Sequence, residues 1–156
     1  MDGSEITVPA IMANIEPVTD FVDRHLAELA CAMRIRLQIK VAIDELFGNI
    51  ARYAYRPNVG PATVRVQVEQ NPLSVVLTFI DKGKPYDPLS AETPDITLPA
   101  SQRRIGGLGI FMVRKSMDDI EYAYRDGQNI LTIRKQVEPQ GPGGPTGAMR
   151  GRKSDA

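Results

Sequence analysis

The sequence predicts a two-layer α/β sandwich, a mixed and mainly antiparallel sheet with helices on one face. Three observations predict it. Apolar residues recur at helical spacing through much of the first 55 positions. The pattern then switches to alternation with a period of two, in two stretches separated by a turn. Two more strand-like stretches close the regular part, joined by Asp126-Gly127, a favoured hairpin turn.

Taken in order, Glu5 to Val8 reads as a short strand. Pro17 suits a first helical turn, and Val18, Phe21, Val22, Leu26 and Leu29 follow at helical spacing. A longer helix is expected from about Arg34 to Tyr55. Leu37, Val41, Asp44, Ile50 and Ala54 lie along one stripe, and Ile39, Ile43, Leu46 and Phe47 widen it. Such breadth predicts burial on two sides. Pro57, Gly60 and Pro61 end the helix. In Ala62 to Glu69, Val64, Val66 and Val68 alternate with polar residues, as in a strand with one wet face. Asn71-Pro72 makes a turn into a second strand, Leu73 to Asp81. The stretch from Lys82 to Ile105 has no clear period and contains four prolines, Pro85, Pro88, Pro94 and Pro99. Loops this long inside compact domains are usually functional, often lids. Gly106 to Gly109 then opens a short helix, expected from Ile110 to Met117, with Phe111, Met112 and Met117 as packing residues. The final strands are expected near Ile120 to Arg125 and Asn129 to Lys135.

Composition narrows the function. Of 156 residues, 19 are basic and 19 acidic, so the formal net charge is zero. That argues against a polybasic nucleic-acid binder and a charge-driven membrane ligand. The single cysteine, Cys31, makes no internal disulfide, and the single histidine, His25, excludes histidine-pair metal centres. Cys31 reads as a small buried apolar group, His25 as an exposed or capping residue. No apolar run reaches transmembrane length and no signal peptide is evident, so a cytoplasmic setting is expected. Residues 1–137 are expected to form one domain. Residues 138–156, rich in glycine and proline, are expected to form a flexible tail.

Three constellations carry chemistry. Glu45 and Asn49 are four apart on the long helix, one turn apart on one face. An amide oxygen is a neutral, hard ligand for Mg²⁺, and a carboxylate can accept a proton. The alternative is a solvated polar pair. Asp81 shares strand parity with Val75, Leu77 and Phe79, so it aims at the apolar face. A buried carboxylate needs a donor, and a ligand amino group is one such donor. Gly83, two residues on, permits close approach to the backbone. The alternative is a turn-forming Asp-Lys-Gly. Gly106, Gly107, Leu108 and Gly109 open a helix, whose N-terminus favours anions. The alternative is a hinge beside a long loop.

In this order the three resemble the N, G1 and G2 boxes of the GHKL superfamily, the gyrase, heat-shock chaperone, histidine kinase and mismatch-repair ATPases. The flanks Glu45-Leu-Phe-Gly-Asn49-Ile-Ala-Arg-Tyr53-Ala-Tyr55, Asp81-Lys-Gly83-Lys-Pro85-Tyr86-Asp87-Pro88 and Arg104-Ile-Gly-Gly-Leu-Gly-Ile-Phe-Met-Val are similar to those of anti-sigma factor serine kinases. The resemblance covers about residues 5–136. It implies a Bergerat-type ATP-binding fold with ATP and Mg²⁺ as cofactors. Asn49 would ligand the Mg²⁺, and Glu45 would be the catalytic general base for a serine hydroxyl. Asp81 would accept from the adenine amino group, with Gly83 beneath the base. Gly106, Gly107, Leu108 and Gly109 would wrap the phosphates, and Lys84 to Ile105 would be the ATP lid. Arg104, with Arg103, would meet phosphate or partner charge, or stand as a solvated basic pair.

The implied partners are a sigma factor and a STAS-type anti-anti-sigma protein, the latter phosphorylated on a serine in partner-switching control of transcription. A homodimer is also implied, with no direct nucleic acid and no membrane. The alternative function is a non-catalytic ATP/ADP-binding module that sequesters a protein partner. Two positions depart from the pattern: Tyr53 stands where many relatives place a histidine, and Asn129 opens the last strand where relatives often carry a threonine near adenine.

Overall fold

The computed structural model describes residues 3–90 and 107–137. Residues 91–106, which hold most of the expected lid with Arg103, Arg104 and Gly106, lie outside the described residues, as does the expected tail at 138–156. The chain runs β1 (Gly3–Pro9), α1 (Ile15–Glu28), α2 (Met33–Asn49), a π-helical turn (Ile50–Ala54), β2 (Pro61–Glu69) and β3 (Ser74–Asp81). It continues with a short 3-10 turn (Pro88–Ser90), α3 (Gly107–Ser116), β4 (Asp119–Arg125) and β5 (Gln128–Gln136).

The strands form one sheet in the order β1-β2-β3-β5-β4, and all four pairings are antiparallel. Both hairpins form where turn residues predicted them. Asp126 and Gly127 take positive φ (54° and 76°), the left-handed pair that matches strand twist. In the other, Asn71 carries the positive φ at 60°.

The core lies between one sheet face and the helices. Val64 and Val66 of β2, Val75, Leu77 and Phe79 of β3, and Leu131 and Ile133 of β5 meet Val18, Val22 and Leu26 of α1. Ile35, Ile39, Ile43 and Phe47 of α2 and Ile110 and Val113 of α3 complete it. Period-2 alternation therefore places the apolar set of three strands on one side. The opposite face of β3 is also covered. Val76 and Thr78 are buried there beside Arg65 and Arg134, their cross-strand neighbours. Long arginine stems shield apolar surface while their heads pair with Glu5, and with Glu69 and Asp119.

The structure corrects the helix readings. The stripe through Leu37 and Val41 faces outward: Leu37 is 55% and Val41 49% exposed. The buried face of α2 is Ile35, Ile39, Ala42, Ile43, Leu46 and Phe47. α1 packs on one flank and α3 on the other, which leaves the Met33–Leu37–Val41 face unpacked. Regular α-geometry ends at Asn49, and the remaining turn widens into a π-helical one. α3 begins at Gly107 rather than Ile110, so Leu108 and Gly109 belong to its first turn. Met117 is buried, whereas Met112 is exposed. Cys31 is buried, and His25 lies in the last turn of α1 with Nδ1 against the Phe21 carbonyl at 2.9 Å.

Candidate functional site

β3 delivers Asp81 at its end, on the helix-facing side, and only 6% of the residue is exposed. Its parity with Val75, Leu77 and Phe79 leaves no other direction. One oxygen is spent within the protein: Oδ1 accepts the Gly83 N–H at 2.8 Å and the Asn129 amide at 2.9 Å. Oδ2 takes no hydrogen bond among the described residues, and Asp81 lines a cleft. Burial pushes the Asp81 carboxyl above its ordinary value, and the bonds from Asn129 and Gly83 offset part of that.

The same cleft contains Asn49, from the last turn of α2. Leu46 and Ile50 beside it, with Phe79 and Leu131 from the sheet, give apolar walls suited to a flat ring. Tyr53 reaches the cleft from the π-helical turn. Its ring has the guanidinium groups of Arg52 and Arg56 at 5.7 and 5.2 Å from the centroid. Arg52 also folds back to donate to Asn49 Oδ1 at 3.2 Å. That oxygen thus already accepts from a cation, and Arg52 would have to swing away for a metal ion to take its place.

Gly83 makes a close approach, and the backbone that meets it is the chain's own. A methyl group built on Gly83 would overlap the Ala54 carbonyl, and Lys84 N–H donates to that same oxygen at 2.9 Å. The strand end carrying Asp81 is thus seated directly on the helix end that follows Asn49. Tyr55 reinforces the junction: its hydroxyl donates to the Pro61 carbonyl at 2.5 Å and accepts the Lys82 N–H at 2.7 Å.

Glu45 is not among the residues lining this cleft. Its carboxyl lies against Gly109, where a side-chain carbon would overlap it. The first turn of α3 therefore needs glycine at position 109 for Glu45 to lie there. Gly107 and Leu108 share that turn, whose unpaired N–H groups and positive field suit an anion. The structure thus brings Asn49 with Asp81, and Glu45 with Gly109. Arg104 and Gly106 lie outside the described residues.

Sequence reasoning noted Asn129 only as a departure at a position where relatives carry a threonine near adenine, and it gave no role to Tyr122 or Tyr86. Asn129 is buried, pairs opposite Asp81 in the ladder, and lines the cleft with Tyr122 and Tyr86. The signal available was its place at the start of a strand after a hairpin turn. Nothing local says which strand that residue will face.

Among the described residues, no three His, Cys, Asp or Glu side chains gather as a metal cage. A divalent ion here would draw most of its ligands from phosphate and water oxygens, as Mg²⁺ commonly does, with Asn49 as a neutral oxygen donor. No helix among the described residues is long and apolar enough to cross a membrane.

Residues 8–135 match the histidine kinase-like ATPase domain family. The serine/threonine-protein kinase BtrW of Bordetella bronchiseptica is 31% identical over 107 residues, covering 69% of this chain and 75% of that protein. The serine-protein kinase RsbW of Bacillus cereus is 30% identical over 111 residues, covering 66% of this chain and 68% of that one. Among solved structures, the RsbU and RsbW domains of a Mycobacterium tuberculosis protein superpose with a TM-score of 0.63 at 17% identity. The match covers 88% of this chain and about a third (33%) of that longer one, and it shows the fold.

Proposed function

This chain belongs to the histidine kinase-like ATPase domain family, and from that premise we propose that it is an ATP-dependent serine protein kinase of the anti-sigma kind. The observation that carries the reading is Asp81, a buried carboxylate with one oxygen unspent, opening into the cleft that also holds Asn49. A purine 6-amino group is the donor that Oδ2 lacks. Leu46, Ile50, Phe79 and Leu131 sandwich the ring, and Tyr53 stands at the Asn49 side. From there the phosphates extend toward Asn49 and the opening turn of α3, where Gly107, Leu108 and Gly109 offer backbone N–H groups. Asn49 Oδ1, which accepts from Arg52 here, is the atom that would hold Mg²⁺, and the ion would supply neutralisation of phosphate charge. Gly106 and Arg104 complete the phosphate end in this reading.

Phosphoryl transfer asks the protein mainly for positioning and charge neutralisation. Glu45, held against Gly109 at the start of α3, takes the proton of the attacking serine hydroxyl. The acceptor is a serine on a small STAS-type anti-anti-sigma protein. The unphosphorylated protein competes with a sigma factor for this chain, which works as a homodimer in the cytoplasm. Support for the partners is the naming of the relatives as RsbW and BtrW kinases and the pairing of RsbU and RsbW domains in the structural neighbour. The test is incubation with γ-labelled ATP, Mg²⁺ and candidate STAS-type proteins. Label on a serine of one of them is the expected result. Nucleotide binding with no label on any candidate would reduce the reading to a nucleotide-binding regulator.

A further inference from the structure

Arg52 is an exposed residue whose guanidinium is nonetheless held in one place. Nη2 donates to Asn49 Oδ1 at 3.2 Å. The same head lies over Gly48 in the last turn of α2. A side-chain carbon built at Gly48 would meet Arg52 Nη1 at 3.2 Å, Nη2 at 3.4 Å and Cζ at 3.6 Å, its three nearest neighbours beyond the adjoining helix. Glycine inside a helix is disfavoured by about 1 kcal/mol against alanine. Here its bare Cα leaves a seat for the guanidinium. On the other side stands the Tyr53 ring, shared with Arg56, whose Nε donates to the Arg52 carbonyl at 3.3 Å. Tyr53 lines the cleft, so the ring keeps the Arg52 head beside its mouth.

A guanidinium only donates, so it selects the oxygen of the Asn49 amide and never the NH₂. Asn49 is thereby preset in the orientation a cation needs, but with a cation already on it. A Mg²⁺ at about 2.1 Å from that oxygen, with Arg52 left at 3.2 Å, would put the two cations within about 5 Å of each other. Like charges that close repel, so one displaces the other. We propose that Arg52 is a resident counter-cation that alternates with Mg²⁺ at Asn49. Without the ion it holds the amide by its oxygen and balances nucleotide phosphate; with the ion it gives the oxygen up, and Tyr53 keeps the displaced head nearby. This rests on the reading of the cleft as a nucleotide site and adds a property to it. The chain keeps its hold on a nucleotide through loss of the metal, and Mg²⁺ must outcompete a charge of the protein's own in order to load.

The experiment is calorimetric titration of the full chain with ADP, once in excess magnesium chloride and once in EDTA, followed by magnesium titration at fixed ADP. The wild type is expected to bind ADP in both buffers, with affinities within about tenfold of each other. In Arg52→Ala the metal-free affinity falls about 3- to 10-fold, the worth of an exposed bond to a charged group. Affinity in magnesium holds or rises, so the gap between the two buffers widens. Arg52→Lys keeps the charge and restores part of the metal-free affinity. Gly48→Ala separates the bond from the charge, because it presses on a flexible side chain and on nothing rigid. It pushes the guanidinium off Asn49 and leaves it in the cleft mouth. Half-saturating magnesium then falls about threefold while metal-free affinity holds, and thermal unfolding stays at the wild-type temperature or above. Equal losses in both buffers for Arg52→Ala would show a merely structural side chain and overturn the proposal. A magnesium midpoint unmoved by either Arg52→Ala or Gly48→Ala overturns it too, while leaving the nucleotide site intact. A wild type that binds no ADP in either buffer overturns the site reading itself, and the proposal with it.

Discussion

Replacing Asp81 by asparagine separates what this residue does for a ligand from what it does for the fold. The amide keeps an oxygen where Oδ1 accepts from Gly83 and Asn129, so the internal bonds at 2.8 and 2.9 Å survive. At the Oδ2 position it places an NH₂, a donor facing a donor when the ligand is adenine. Hydrogen bonds to charged groups contribute about 1.5–3 kcal/mol. Losing one weakens binding by about 10- to 150-fold, and the opposed donors push the result toward the upper end. Inosine nucleotides, whose carbonyl accepts from the new NH₂, lose less or gain.

The fold responds in the opposite sense. Burial raises the Asp81 pKa above its unfolded value. The stability linked to that shift is present below the unfolded pKa and is lost as pH rises through the folded one. At neutral pH the buried charge is therefore a cost, and Asp81→Asn unfolds at the same temperature as the wild type or higher. Binding by the wild type has the reverse pH dependence: it weakens on acidification, as Oδ2 gains a proton, starting at a higher pH than an ordinary aspartate would set. Calorimetry with ATP and inosine triphosphate, paired with thermal unfolding at neutral and acid pH, reads all of this. Wild-type ATP affinity in Asp81→Asn would refute the reasoning.

Three further outcomes are expected. Glu45→Ala keeps ADP affinity within about twofold and loses roughly 10²- to 10⁴-fold in phosphotransfer, measured with labelled ATP and a protein acceptor; an unchanged rate removes Glu45 from the role of base. Gly109→Ala displaces the Glu45 carboxyl and lowers the same rate. Combined with Glu45→Ala it costs nothing more, because the two act through one group, whereas additive losses would break that link. Gly83→Ala drives a methyl into the Ala54 carbonyl, which is backbone and cannot simply rotate away. It destabilises the protein by about 1–3 kcal/mol in denaturant unfolding, and a wild-type midpoint would contradict the close approach.

Much of the sheet could be read from the sequence because its signals are local. Val64 to Val68 alternate, Asp126-Gly127 supplies the left-handed pair, and strand parity alone aims Asp81 inward. The long helix was harder. α2 carries apolar residues around most of its girth, so the sequence could not rank the Leu37–Val41 side against the Ile39–Ile43 side. The choice was made by α1 and α3 on its flanks. The helix start at Gly107 was hidden by glycine's poor helical propensity. Of the site, Asp81 and Asn49 were legible, since each lies on an element whose period fixes its direction. Asn129 was not. It meets Asp81 across 48 residues of chain, through a pairing of β3 with β5 that skips α3 and β4. Arg52 folding back on Asn49 and Glu45 resting on Gly109 are rotamer outcomes, visible only once neighbouring turns are in place.

The seating of Gly83 on Ala54 makes the molecule a calliper. One jaw is the carboxylate at the strand end, the other the amide at the helix end, and the gap between them is set by backbone touching backbone. Neither jaw needs to travel to meet its quarry, so little ordering entropy is spent at either tip. On the proposed reading such a gauge sorts molecules by span: a bare base would satisfy one tip, a cation-bound polyphosphate the other, and only a ligand with both groups at the set separation would engage the two at once.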